Sequence, residues 1–135
     1  MDNTNPSDES ALEVMARFGK AFFKKDRGLL SEILTEDAQW HFAIGDDGPN
    51  GRVRVGVDGF LQGIAENDAL FSRLKFNDVI CRWSGDDVIV MTYTLDGEYR
   101  DGESFDLRGV ELVTVRDNRV AKKDVFWKQR GSGGG

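Results

Sequence analysis

The sequence predicts an α+β fold: three N-terminal helices packed on a curved, mostly antiparallel sheet, forming a cone that encloses a pocket. Three observations carry this prediction. Apolar residues recur at helical spacing in the first half, as in Leu12, Met15, Gly19 and Phe22. The second half alternates apolar and polar residues over long runs separated by short Gly/Asp/Asn turns. Helices that precede a strand meander define α+β, and long strands need one covered face.

The elements follow in order. Ser10-Ala-Leu-Glu13 has the pattern of a capping box, with Ser7 as an earlier cap, and opens a helix that runs to about Lys25. Asp26 caps a short second helix carrying Leu29, Leu30, Ile33 and Leu34. Thr35-Glu-Asp-Ala38 interrupts the pattern, and residues 39–44 read as a strand with Trp40 and Phe42 on one face and His41 on the other. Residues 45–51 are a loop by composition, and 58–71 form a third helix despite two internal glycines. Strands follow over 76–83, 88–95, 104–115 and 119–128. A Gly85-Asp86 turn would pair Ile80 with Met91. An Asp117-Asn118 turn would place Glu111 opposite Asp124 and Arg108 opposite Trp127.

Length and charge bound the function. The 135 residues make one domain, expected over 10–129, between a disordered start (1–9) and a Gly/Ser tail (130–135). A net charge of -6 without a basic strip argues against nucleic-acid binding. Cys81 is the single cysteine, so no intrachain disulfide can form, and it reads as a small buried apolar residue. No signal-peptide pattern or membrane-length apolar run is present, so a cytoplasmic protein is expected. The 45–51 loop lacks the Lys-Ser/Thr of a phosphate loop, no serine or cysteine nucleophile pairs with His41, and no metal-ligand spacing appears.

Three short signatures then stand in order: Leu34-Thr-Glu-Asp-Ala-Gln-Trp-His41, Gly56-Val-Asp-Gly-Phe60, and the run from Val115-Arg-Asp-Asn-Arg to Asp124-Val-Phe-Trp-Lys128. With the element order, they make residues 10–128 resemble the nuclear-transport-factor-two-like superfamily, and within it SnoaL-like proteins. The resemblance implies a pocket lined by alternate residues of the first and last strands. Placed on this sequence, those are Trp40, Phe42, Lys123, Val125 and Trp127. The counted register then adds Asp106, Arg108, Val110, Leu112, Thr92 and Thr94, and puts His41, Glu111 and Asp124 on the opposite face.

The resemblance implies a cofactor-independent protein for a small hydrophobic molecule, either an acid/base isomerase, cyclase or dehydratase or a non-catalytic binding or dimerisation module. In the catalytic reading, Arg108 binds an oxyanion and Asp106 or Asp124 moves the proton. Trp40, Phe42, Thr92, Val110, Lys123 and Trp127 shape the ligand site. The chain departs from the known enzymes: Phe18 and Phe42 stand where isomerase-like members carry Tyr and Asp. Thr92 and Thr94 stand where the epoxide-hydrolase pattern has Arg and Asp. Arg108 could equally form a strand-end ion pair with Asp106, and Glu111 with Asp124 is either a buried carboxylate dyad sharing a proton for acid/base work or part of a solvated outer or dimer face. A homodimer is expected through that outer face, which would mix Val113, Val115, Val120 and Phe126 with charges.

Overall fold

The computed structural model describes residues 7–44 and 51–128. The first six residues, most of the 45–51 loop and the Gly/Ser tail lie outside them. Helix α1 spans Glu9–Lys24, α2 Arg27–Ile33 and α3 Gly56–Leu70. Strands β1 (Leu34–His41), β2 (Val53–Val55), β3 (Phe71–Ser84), β4 (Val88–Tyr99), β5 (Ser104–Arg116) and β6 (Arg119–Lys128) complete the fold. They form one sheet in the order β2-β1-β6-β5-β4-β3. The β1–β6 pair is parallel, and the other neighbours are antiparallel. The α+β cone holds: three helices cover one face of a long meander.

The chain's start is tied to the sheet rather than frayed at residues 7 and 8. The backbone N–H of Asp8 donates to the Cys81 carbonyl at 2.8 Å, and Ser7 Oγ accepts from the Cys81 N–H at 2.9 Å. The cap of α1 is Asp8, not Ser10, and its carboxylate accepts from the Trp83 N–H at 2.8 Å instead of capping the helix. Ser10 accepts from the Trp83 indole at 2.8 Å. Ala11, Val14, Phe18 and Ala21 are the buried stripe of α1, spaced three and four residues apart as a helix face requires. Lys25 ends the helix in the left-handed region at φ 54°. Asp26 caps α2 as expected, accepting from the Leu29 N–H at 2.9 Å.

Some boundaries differ from the sequence expectation. β1 begins at Leu34, with an irregularity between Leu34 and Gln39 where the break was expected. β2 has three residues and shows no periodicity long enough to read. β3 and β4 extend beyond their expected ends, to Phe71 and Tyr99, because the pair continues past a bulge. Asp78 has φ 55° within that bulge, between the Asn77–Thr94 and Ile80–Thr92 pairs.

The register of the last hairpin decides where the site lies. Asp117 and Asn118 have φ 54° and 64°, as a two-residue hairpin turn needs, and Arg116 faces Arg119. Beyond that the count fails. Val115 pairs with Val120 but Thr114 pairs with Lys122, so Ala121 is an extra residue on β6. One inserted residue exchanges the two faces for everything counted outward from the turn. Glu111 therefore lies opposite Val125, and Arg108 opposite Lys128. At the other hairpin Ser84 pairs with Val88, so the loop has three residues and Ile80 lies opposite Thr92.

Candidate functional site

A cavity of about 590 Å³ lies between α1, the end of α3 and the concave face of the sheet. Its walls are mainly apolar. Met15, Phe22, Trp40, Phe42, Met91 and Val125 are among them. Trp40 and Phe42 protrude from the same face of the chain at β1 and stack at 4.0 Å between ring centroids, with Phe22 edge-on to Trp40 at 5.1 Å. Gly63 on α3 allows this stack. A Cβ there would lie 2.6 Å from the Trp40 ring and 2.7 Å from Phe42.

Among these walls sits a buried polar chain. Lys123 Nζ donates to Glu111 Oε1 at 2.8 Å, and the two side chains are 9% and 3% exposed. Tyr93 donates its hydroxyl to Glu111 Oε2 at 3.0 Å, and the Trp127 indole donates to the Tyr93 hydroxyl at 3.1 Å. Both carboxylate oxygens thus have a donor. The Lys123 ammonium also lies over three aromatic faces, 5.4 Å from Phe22, 5.4 Å from Trp40 and 5.7 Å from Phe18. Aromatic faces supply negative potential without accepting a full hydrogen bond, so they hold the cation while leaving protons available to a ligand.

This geometry sets protonation. Burial, reinforced by the negative Glu111 and by the hydrogen bond to it, pushes the Tyr93 phenol well above its usual range, against a smaller opposing effect of the Trp127 hydrogen bond. Burial first, and then Glu111, pushes the Cys81 thiol up to about 11. Both groups stay neutral near pH 7, and Tyr93 acts as a donor. Gly109 makes room for it: a Cβ on Gly109 would lie 2.6 Å from Tyr93 Cζ.

The sequence-derived site divides in two. Trp40, Phe42, Lys123 and Trp127 line the cavity. Arg108, Asp106, Val110 and Thr92 do not: β4 and β5 turn Met91, Tyr93, Gly109 and Glu111 inward, so their alternates face out. Thr92, Val110 and Phe126 form one outward rung. Asp124 is also outward, in a 3.9 Å contact with Lys122. It does not oppose Glu111, so no carboxylate dyad forms. His41 shares a 2.8 Å hydrogen bond with Gln39, and burial lowers its pKa, so it is neutral. The outer face expected to support a homodimer exposes Leu112 and Phe126. Val113 and Val120 are instead fully buried in the core.

Sequence reasoning missed Glu111 and Tyr93 as cavity-side groups. A signal was present: Val120 and Val125 on β6 are five residues apart, an odd spacing that strict alternation cannot place on one face and a bulge can. Among the described residues, no group of three or more His, Cys, Asp or Glu is arranged to hold a metal ion. No helix there is long and apolar enough to cross a membrane.

A helix-covered, curved mixed sheet with an internal apolar cavity defines a nuclear-transport-factor-two-like cone. The SnoaL-like domain family matches residues 15–123, and the chain belongs to that family. No curated protein matches it by sequence. A candidate polyketide cyclase from Xanthomonas campestris superposes with a TM-score of 0.72 at 16% identity, covering 89% of this chain and 91% of that one. An NTF2-like protein from Burkholderia xenovorans gives a TM-score of 0.75 at 14% identity, covering 92% and 93%. TerC, co-crystallised with polyporic acid, gives 0.68 at 17% identity, covering 89% and 92%. At these identities the likeness is one of fold.

Proposed function

We propose that this protein binds a small, mostly apolar molecule carrying an acceptor oxygen, and acts on it by acid/base chemistry of the isomerase or cyclase kind without a cofactor. The observation that supports this most is the Lys123–Glu111 pair buried at an apolar cavity. An ammonium in such surroundings polarises a carbonyl and stabilises the enolate formed from it. Glu111 is the carboxylate for proton movement. While Lys123 and Tyr93 both donate to it, both of its oxygens are occupied. When a ligand oxygen draws the ammonium away, Glu111 Oε1 loses its donor and is free to accept a proton from the substrate. The cyclase-like neighbour and TerC's polyporic acid are consistent with such a ligand class.

A second reading is a ligand-binding module without turnover. It is favoured by the two donors already held by Glu111, which tie up both of its oxygens in the free protein.

Acetylnaphthalene separates the two. Trp40 and Trp127 line the cavity, so its binding should quench tryptophan fluorescence. In deuterium oxide the wild type should then speed exchange of the ketone's methyl protons by about 10²-fold. The Lys123→Met/Glu111→Gln protein should not. Quenching without exchange would establish the binding module and remove the catalytic reading. No quenching would remove both.

A further inference from the structure

Among the described residues, four charged side chains line the cavity, and they divide by exposure. Lys75 is exposed and the Arg52 side chain is 38% exposed, so water reaches both. Lys123 and Glu111 are buried, and they balance one to one. Lys123 Nζ meets Glu111 Oε1 at 2.8 Å, and the other donor to Glu111 is the neutral Tyr93 hydroxyl at 3.0 Å. Phe18, Phe22 and Trp40 surround the ammonium and bring no second charge. Cys81 on the same wall adds none, because burial and then Glu111 keep its thiol protonated.

This balance discriminates between ligands. A ligand oxygen that takes a further bond from Lys123 Nζ would sit about 2.8 Å from the nitrogen and roughly 4.5 Å from Glu111 Oε1, the separation of two acceptors on one tetrahedral ammonium. If the ligand is a carboxylate, repulsion at the longer distance offsets more than half of the attraction at the shorter, since both fall as the inverse of distance. The remainder must also replace the water that the carboxylate leaves behind. A ketone oxygen accepts the same bond and carries neither cost.

We infer that Glu111 makes the inner end of the cavity a charge filter, which admits an uncharged carbonyl compound such as an aryl ketone and rejects the matching carboxylate. The inference rests on the reading of the cavity as a ligand site, and it makes Glu111 a specificity-determining residue. The filter is compatible with turnover. An enolate forms only as Glu111 takes the proton and loses its own charge, so the charge at the inner end stays the same. It also has a converse: without the Glu111 charge, the Lys123 ammonium becomes a buried counter-ion for the very carboxylate it now rejects.

Acetylnaphthalene and naphthoate test this, because they share a ring and differ by a methyl group against a charged oxygen. In tryptophan-quenching titrations near pH 7 the wild type should bind the ketone about tenfold or more tightly than the acid. Any apolar cavity favours a neutral ligand to some degree, so the deciding protein is Glu111→Gln. It should reverse the order, with naphthoate about tenfold tighter than the ketone. Lys123→Met/Glu111→Gln, with neither charge, should prefer the ketone again. If Glu111→Gln is unfolded alone, the reversal is read in folding: naphthoate, and not the ketone, should restore a cooperative thermal transition. Equal binding of the two probes by the wild type, or a ketone preference that Glu111→Gln keeps, would overturn the inference while sustaining the ligand site. An unfolded Glu111→Gln that naphthoate does not restore would also overturn it. Binding of neither probe by the wild type would remove the ligand site itself, and the inference with it.

Discussion

Replacing Lys123 by Met is expected to destabilise the protein by about 3–5 kcal/mol, read as a shift in the urea midpoint at constant m-value. The reason is the partner left behind. Glu111 is 3% exposed and would be left buried without the ammonium that compensates it. Domains of this kind have roughly 5–15 kcal/mol in total, so the single variant approaches the folding limit. Adding Glu111→Gln should recover about 2 kcal/mol or more, because it removes the stranded charge and still offers an acceptor to Tyr93. Had the pair been a surface contact, the single change would cost under about 1 kcal/mol. Recovery in the double variant matters for function as well as stability. It supplies a folded protein whose cavity lacks the charged pair.

Gly109→Ala is the second large effect, expected at about 1–3 kcal/mol. Gly109 lies on β5 between β4 and β6, so its backbone has little room to yield. The added methyl would overlap the Tyr93 ring, with Cζ 2.6 Å away. Moving that ring separates the hydroxyl from Glu111 and from Trp127 together. A double-mutant cycle with Tyr93→Leu isolates the effect. A smaller side chain at 93 should relieve the overlap, giving a coupling of about 1 kcal/mol or more. Strict additivity would show that the cost of Gly109→Ala comes from elsewhere.

The fold was legible because its signals are local and repeated. The Phe18 stripe of α1, the Asp26 cap and the Asp117-Asn118 turn each report their own neighbourhood, and their order restricts the topology. The site was half legible for a related reason. The family resemblance placed Trp40, Phe42, Lys123 and Trp127 by element position, and each needed only the alternation of its own strand. Glu111 and Tyr93 required the register between strands, which a turn does not transmit past a bulge. The inserted Ala121 sent Arg108 and Asp106 outward and brought Glu111 inward. Short β2 left no period to read, and the extra length of β3 depends on its pairing with β4. Glu111 also illustrates a compositional trap: a carboxylate on a strand ordinarily marks the solvent face, and here Lys123 and Tyr93 make its burial possible.

The central claim is that Lys123, held by Glu111 inside the cavity, donates to the oxygen of a bound apolar ligand. The direct measurement is the carbonyl carbon-13 shift of labelled acetylnaphthalene bound to the wild type and to Lys123→Met/Glu111→Gln. A donated hydrogen bond draws electron density from the carbonyl and moves its signal downfield. The predicted result is a bound signal downfield of the same ketone in hydrocarbon solvent, returning to the hydrocarbon position in the double variant. A hydrocarbon-like signal in the wild type, or the same shift in both proteins, would contradict the claim.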